Sequence, residues 1–285
     1  MPELPEVETI RRELEPHLVG RKIVHARLLR RDVLVVPGDP PGGFARARTN
    51  TPPRRVRRRD LLEGARVLAL ERHGKQLAIV ADQGVICVHL GMSGQLRLDD
   101  GDPRDHVHAL WRFDHNRTLR YRDPRRFGGL WAMPDLDALR ASRWARLGPD
   151  ALSIRAEQLA RAVRDGRRSI KSVLLDQRAI AGVGNIYADE ALFASRLRPD
   201  RPAHELSADE IASLVRQIRA VLRRAIKARG SSLRDHRTPA GQPGAFQHAH
   251  KVYARAGRPC PVCQSPLEGR TIAQRSTVFC PRCQR

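Results

Sequence analysis

The chain has 285 residues, a length that suggests about two domains, each large enough to bury its own core. Its 53 Lys and Arg residues outnumber 31 Asp and Glu residues, and the resulting net charge of +22 favours a polyanionic partner, nucleic acid first. An acidic opening and the lack of a long apolar run exclude a signal peptide and a membrane span, which predicts a cytoplasmic, nucleoid-associated protein with no membrane partner.

An amphipathic helix is predicted first, over residues 3–18. Its apolar residues Val7, Ile10, Leu14 and Leu18 recur at helical spacing, and Pro5 lies in the first turn, where a missing N–H is tolerated. Residues 37–60 are rich in Pro, Gly and Arg and lack periodicity. They are predicted to form a long basic loop.

Short apolar or alternating segments separated by turn residues predict an antiparallel β-sandwich or barrel. Cys87 lies inside one of these segments and is predicted to be a buried core thiol. The predicted strand segments are residues 67–70, 77–80, 85–90, 107–113 and 119–122.

Helical patterns replace the strands after Pro134. The clearest helix begins at Ser207, where Glu210 completes a capping box, and it ends at Gly230. Two shorter helices, over residues 169–176 and 185–194, flank a glycine-rich turn. The predicted fold is α+β, with a β-sandwich domain over residues 1–135, a helical domain over 150–235 and a cysteine-bearing hairpin over 250–285.

Four of the five cysteines form two Cys-x-x-Cys pairs separated by sixteen residues. This spacing is typical of two knuckles that enclose one tetrahedral zinc ion, and it lacks the surroundings of a redox motif. A site with four protein ligands leaves no position open for chemistry, so the predicted zinc is structural. The predicted ligands are Cys260, Cys263, Cys280 and Cys283.

Four further motifs occur in the order seen in the formamidopyrimidine-DNA glycosylases, and together with the zinc tail they make the chain resemble that family along nearly its whole length. They are PELPEVET at residues 2–9, HLGMSG at 89–94, DPRRFG at 123–128 and GVGNIY at 182–187. The resemblance implies a helix-two-turn-helix DNA-binding domain after the β-sandwich, and a zinc-finger hairpin. Residues 37–60 are longer and richer in arginine than the resemblance implies.

The resemblance also implies the chemistry, a bifunctional glycosylase and lyase that excises oxidised purines. Removal of Met1 would free the Pro2 amine to form a Schiff base with the damaged nucleotide. An α-amino group is neutral in roughly a tenth of molecules at pH 7, whereas a lysine amine is neutral in fewer than ~0.1%. By resemblance Glu3 is the general acid and base, with Glu6 as a second carboxylate; Lys75 supports elimination, and Arg275 aids the second elimination.

The implied partner is double-stranded DNA containing oxidised bases, bound by a monomer. Extruding a nucleotide leaves a gap in the duplex, and by resemblance Met92, Arg125 and Phe127 fill it. Residues 229–235 resemble the loop that closes over the everted base. The implied phosphate contacts are Arg167, Lys171 and Asn185, with Arg104 standing where relatives often place a histidine.

Two other functions stay open. An enzyme similar to endonuclease eight would share the fold but prefer oxidised pyrimidines, and a non-catalytic zinc protein would bind DNA without forming an adduct. An arginine-rich genome would account for part of the charge, because only five of the basic residues are lysines. The sequence does not fix the lesion preference or the base opposite the lesion.

Overall fold

The computed structural model describes residues 2–37, 56–98, 105–164, 167–232 and 237–285. They form two compact units. The first unit comprises Pro2, Glu6–Ala145 and Arg229–Gly244, and the second comprises Glu3–Pro5, Arg146–Ala228 and Ala245–Arg285. The three-segment division predicted from the sequence stays a prediction.

The opening helix α1 spans Leu4–Leu18, in agreement with the predicted span. Val7, Ile10, Leu14 and Leu18 are each at most 1% exposed and belong to the core of the first unit. The apolar stripe of α1 therefore packs as its periodicity predicts.

Two sheets form most of the first unit. A four-stranded sheet has the order β1-β7-β8-β6, and a five-stranded sheet has the order β2-β9-β5-β4-β3. The strands are β1 (Ile23–Leu28), β2 (Leu34–Val35), β3 (Val67–His73), β4 (Gln76–Ala81), β5 (Gly84–His89), β6 (Gln95–Leu98), β7 (Val107–Phe113), β8 (Thr118–Arg122) and β9 (Gly129–Met133), followed by helix α2 (Leu136–Ser142).

The predicted antiparallel sandwich is confirmed, with one exception. All described strand pairs of the first unit are antiparallel except β2 and β9, which are parallel. Buried side chains of both sheets share one core, for example Ile79 in β4 and Trp111 in β7. Cys87 in β5 has no exposed surface, and burial raises the pKa of its thiol to about 11, so the predicted core thiol is confirmed.

In its described residues, the second unit contains four α-helices and a β-hairpin. They are α3 (Ala156–Arg164), α4 (Ile170–Leu175), α5 (Asn185–Ala194), α6 (Ala208–Lys227), β10 (Glu268–Ile272) and β11 (Arg275–Phe279). The bounds of α5 match the predicted ones. At the start of α6 the Ser207 hydroxyl accepts the N–H of Glu210, and the Glu210 carboxylate accepts the N–H of Ser207, which confirms the capping box.

Some predictions fall outside the described residues. These include Arg104 and residues 38–55 of the predicted basic loop, whereas Arg58–Leu61 at the end of that loop form a 3-10 helix. Across the ranges that the structure describes, no helix combines the length and the apolar character needed to cross a membrane.

Candidate functional site

The Glu3 carboxylate lies at the N-terminus of α5, in the second unit. One oxygen accepts the N–H of Gly184 at 2.6 Å, and the other accepts the N–H of Ile186 at 2.9 Å. The side chain is 3% exposed, and the partial positive charge of a helix N-terminus attracts a carboxylate. A Cβ atom at Gly184 would overlap the Glu3 carboxyl group, so only glycine leaves room for that group in its observed position.

The turn before α5 is fixed by side-chain hydrogen bonds. The Gln177 amide accepts the N–H of Gly182 at 3.0 Å and donates to the carbonyl of Val183 at 2.9 Å. The carbonyl of Gly182 accepts the N–H of Leu4 at 3.1 Å, next to Glu3. Hydrogen bonds therefore hold both the segment that carries Glu3 and the turn that binds its carboxylate.

Asn185 and Lys171 meet at strand β11. The Asn185 amide donates to the carbonyl of Ser276 at 2.9 Å, and the Lys171 amine donates to the same carbonyl at 3.0 Å. Lys171 also contacts Asp189 at 2.6 Å and is fully buried. Its ammonium group therefore binds other residues of the protein interior in this structure. Its contact with a phosphate stays a prediction.

Arg275 opens strand β11 beside the two-residue turn of the hairpin. Ala273 and Gln274 have φ values of 50° and 57°, and Ile272 pairs with Arg275 across the turn. The side chains of Arg275 and Arg167 are exposed, so both guanidinium groups face solvent in the second unit.

The four cysteine sulfurs predicted to bind zinc lie within 4.8 Å of one another. Cys260 and Cys283 are 3.9 Å apart at Sγ, and Cys263 and Cys280 are 3.4 Å apart. Four sulfurs placed ~2.3 Å from one zinc ion are about 3.8 Å apart, so the cluster fits a tetrahedral site. The N–H of Cys283 also points at the Cys280 sulfur, at 3.3 Å, as in a zinc knuckle. One structural zinc is therefore the cofactor of this hairpin.

The first unit holds Pro2 and Glu6. Pro2 is buried, and the Glu6 carboxylate, 1% exposed, accepts the N–H of Ser231 at 2.8 Å. Gly230, with φ of +76°, lies against Glu6 so closely that a Cβ would overlap its carboxylate. Glu6 thus anchors the described start of the loop predicted to cover an everted base; residues 233–235 of that loop lie outside the described part of the chain.

Lys75 lies in the two-residue turn between β3 and β4. His73 and Gln76 pair across this turn, Gly74 has φ of +55°, and Lys75 is 8% exposed. Burial, with the nearby charges of Lys75 and Arg143, lowers the pKa of His89 to about 4. His89 is therefore neutral near pH 7, and the positive charges beside it are those of Lys75 and Arg143.

The wedge residues are the three side chains predicted to fill the gap in the duplex, Met92, Arg125 and Phe127. They lie on two neighbouring loops of the first unit, residues 89–94 and 123–128. Met92 is 37% exposed, Arg125 is exposed and Phe127 is half-buried. The Arg125 guanidinium lies 4.7 Å from the centre of the Phe127 ring. The structure thus brings all three onto adjacent backbone segments, with their side chains at least partly exposed.

Sequence reasoning missed several buried acids that organise these elements. Glu190 accepts the backbone N–H groups of residues 251–253 at 2.9 to 3.0 Å. Asp189 pairs with Lys171, and Asp123 accepts the hydroxyl of Ser93. The local sequence gives no signal for these residues. A buried acidic residue cannot be distinguished from an exposed one until the group that it binds is known.

Three family models together match most of the chain. The formamidopyrimidine-DNA glycosylase N-terminal domain matches residues 1–130, its H2TH domain matches 147–237, and the zinc finger found in FPG and IleRS matches 257–285. The helix-two-turn-helix segment and the zinc finger expected from the sequence motifs are thereby confirmed.

Curated and solved relatives agree with these models. A formamidopyrimidine-DNA glycosylase of Thermus thermophilus is 43% identical, with all of this chain and 98% of that protein covered. A Lactococcus lactis FPG mutant solved with DNA containing Fapy-dG has a TM-score of 0.85 at 30% identity, with both chains fully covered. The Lactococcus lactis Fpg complex with abasic-site DNA has a TM-score of 0.84 at 31% identity, with 99% of each chain covered. On its residues, its fold and these matches, the chain belongs to the formamidopyrimidine-DNA glycosylase family.

Proposed function

We propose that this chain excises oxidised purines, 8-oxoguanine and formamidopyrimidines, from double-stranded DNA, and then cleaves the strand by β,δ-elimination. The amine of Pro2, freed by removal of Met1, acts as the nucleophile. The observation that carries the proposal is the buried carboxylate of Glu3, one peptide bond from that amine and fixed by the N–H groups of Gly184 and Ile186.

The first step joins the protein to the sugar. The lone pair of the Pro2 nitrogen forms a bond to C1′ while the base departs with the electrons of the glycosidic bond, and the departing base takes up the proton that the Pro2 nitrogen loses. Glu3 delivers a proton to the ring oxygen as the sugar opens, and a cationic iminium results. Because the nitrogen of this iminium carries no hydrogen, the cation cannot be neutralised by losing a proton, and its charge directly acidifies the C2′ proton.

Elimination follows from the iminium. Loss of the C2′ proton expels the 3′ phosphate, and a second elimination expels the 5′ phosphate. Lys75, at its hairpin turn, supports elimination through its positive charge, and the exposed Arg275 at the tip of the zinc hairpin aids the second step. The reaction needs no Lewis acid, which fits a zinc ion surrounded by four cysteines.

Binding of the duplex uses both charge and shape. A net charge of +22 favours the phosphate backbone, and Arg167 and Asn185 are the proposed phosphate contacts in the second unit, whereas Lys171, fully buried in this structure, stays a predicted one. Met92, Arg125 and Phe127 fill the gap left by the everted nucleotide, since a thioether and a ring replace lost stacking and a guanidinium reaches a base edge. Arg104 stays a predicted contact.

Borohydride trapping tests the proposal. Wild-type protein, with its N-terminus read by mass spectrometry, is mixed with a duplex containing 8-oxoguanine opposite cytosine and treated with borohydride. We expect a covalent protein-DNA adduct with wild type and much less of one with Pro2→Gly, because the primary amine of glycine gives an imine that can lose its proton and its charge, while both proteins bind the duplex. A non-catalytic DNA-binding protein would give equal binding and no adduct from either, which would refute the proposal.

Substrate choice is a separate measurement. Single-turnover rates are compared on duplexes carrying 8-oxoguanine opposite cytosine and on duplexes carrying thymine glycol. We expect faster release of 8-oxoguanine. Faster release of thymine glycol would place the protein with the enzymes similar to endonuclease eight and would overturn the purine assignment without affecting the Schiff base.

A further inference from the structure

Asp123 is a fully buried carboxylate that joins the two loops of the proposed wedge. One oxygen accepts the hydroxyl of Ser93 at 2.6 Å, from loop 89–94. The other accepts the N–H of Gly128 at 2.8 Å, at the end of loop 123–128. The hydroxyl of Tyr121 donates to this second oxygen at 3.4 Å. The carboxylate therefore receives donors from both loops and from the strand beneath them.

Ser93 closes the link between the loops. While its hydroxyl donates to Asp123, its oxygen accepts the N–H of Arg125 at 3.2 Å. Ser93 is 2% exposed, so this chain of hydrogen bonds is shielded from water. This chain of hydrogen bonds connects Ser93, the residue after Met92, to the backbone of Arg125.

The two loops also touch backbone to backbone. A Cβ atom at Gly91 would overlap the carbonyl of Phe127 and the nitrogen of Gly128. A Cβ at Gly128 would overlap the carbonyl of His89 and the hydroxyl of Tyr121. At such close range a small change in one loop must be transmitted to the other, since no space remains to absorb it.

The backbone of Asp123 is held as firmly as its side chain. Its carbonyl lies 2.8 Å from Nε2 of His108 in strand β7 and accepts the N–H of Arg126 at 3.1 Å. Its own N–H donates to the carbonyl of His106 at 3.0 Å. The carboxylate is thus supported from the sheet and presents its two oxygens to the loops.

We propose that Asp123 is the positioning residue of the wedge, holding Met92, Arg125 and Phe127 in the single arrangement in which they enter a duplex together. The inference rests on the proposed function, because it assigns a purpose to these three side chains. An asparagine at this position would present an N–H donor where the carboxylate now accepts one, so it would break the link while keeping the volume.

The experiment separates gap filling from chemistry. An abasic site in single-stranded DNA offers the same sugar to the Pro2 amine but has no base stack to refill. Asp123→Asn and Ser93→Ala are compared with wild type on duplex 8-oxoguanine and on the single-stranded abasic oligonucleotide. Asp137→Asn, which changes an exposed side chain of the same unit, is the matched control.

We expect both test variants to lose on the order of tenfold or more in single-turnover excision from the duplex, and to stay within about twofold of wild type on the single strand. The fluorescence of 2-aminopurine placed opposite the lesion should change on binding wild type and the control, and change less with both variants. Circular dichroism verifies that each variant is folded; should Asp123→Asn be unfolded, Ser93→Ala decides.

Two results would overturn the inference: unchanged duplex rates in a folded variant, or equal losses on both substrates. If wild type itself forms no trapped adduct with either DNA, the proposed function fails instead, so the two failures are distinguishable.

Discussion

Lys171 and Asp189 form a buried ion pair, with 2.6 Å between amine and carboxylate and at most 1% of either side chain exposed. The pair connects α4 to α5 and also holds strand β11, because Lys171 donates to Thr277 at 2.7 Å and Asp189 accepts the N–H of Val278 at 3.1 Å. Burial raises the pKa of Asp189 to about 6, against the opposing effect of Lys171. The lysine therefore favours the charged form of the carboxyl group, which burial disfavours.

We expect Lys171→Met to destabilise the second unit by about 3 to 5 kcal/mol, because it leaves a buried carboxylate without its partner. Urea unfolding of the full chain measures the loss. Arg168→Met is the matched control, since it breaks a partly exposed pair with Asp176 and should cost at most about 1 kcal/mol. A Lys171 variant as stable as the control would show that the pair contributes nothing.

Loss of one zinc ligand should unfold the hairpin. Cys283→Ala leaves three thiolates, and because four ligands hold the ion, we expect the purified variant to carry less than about half of the wild-type zinc. Metal analysis measures the content, and the duplex affinity should fall with it. Cys87→Ala removes a thiol from the β-sheet and should keep a full zinc complement; equal zinc in both variants would refute the assignment of the ligands.

Locally encoded elements could be predicted from the sequence. The capping box of α6 needs only Ser207 and Glu210, three residues apart, and the zinc cluster needs only two cysteine pairs. The bounds of α5 also followed from nearby signals, the glycine-rich turn before it and the residues within it. Each of these features depends on contacts within a short segment, which the order of residues displays directly.

Features that join distant segments could not be predicted. Strand β2 has two residues and is identified by its parallel pairing with β9, almost a hundred residues later. The sequence around Lys171 does not distinguish it from a surface lysine, because its partner Asp189 lies on the next helix. The sequence around Ser93 likewise gives no sign of its hydrogen bond with Asp123. Burial and the choice of hydrogen-bond partner are decided by the packed fold. A residue of the candidate site could therefore be identified from its motif, but the residues that it contacts could not be predicted.

Acid should destabilise the first unit through Glu8. Burial alone would raise the pKa of this carboxyl, but hydrogen bonds from Arg11, Arg12 and Arg72 outweigh burial and lower the pKa from 4.5 to about 2. The ionised form is thus favoured in the folded state. Its stabilising contribution is complete above pH 4.5 and is lost as the pH falls toward 2.

The lowering of the Glu8 pKa corresponds to about 3 kcal/mol in the free energy of unfolding above pH 4.5. We therefore expect Glu8→Gln to lower the free energy of unfolding by about that amount at pH 7 and by much less near pH 2.5, as measured by urea unfolding across this range. Glu15→Gln, at a half-exposed partner of Arg11, should have little effect at either pH. A Glu8 variant whose effect does not shrink in acid would contradict this linkage.

Gly184→Ala should separate activity from stability. The added methyl group would occupy the space of the Glu3 carboxyl group, which is the end of a flexible side chain and can move away without unfolding the protein. Displacement breaks the hydrogen bonds to Gly184 and Ile186 and moves the proposed proton donor, so we expect base excision to fall by at least about a hundredfold. The melting temperature should drop by only a few degrees.

Gly257→Ala is the comparison for Gly184→Ala. Gly257 also lies in the second unit, but a Cβ there would meet nothing within 4 Å, and its φ of +78° makes the cost one of backbone strain. It should lower stability by about 1 kcal/mol and leave the excision rate unchanged. If Gly184→Ala retained full activity while folded, the position of the Glu3 carboxylate at the start of α5 would be irrelevant to catalysis.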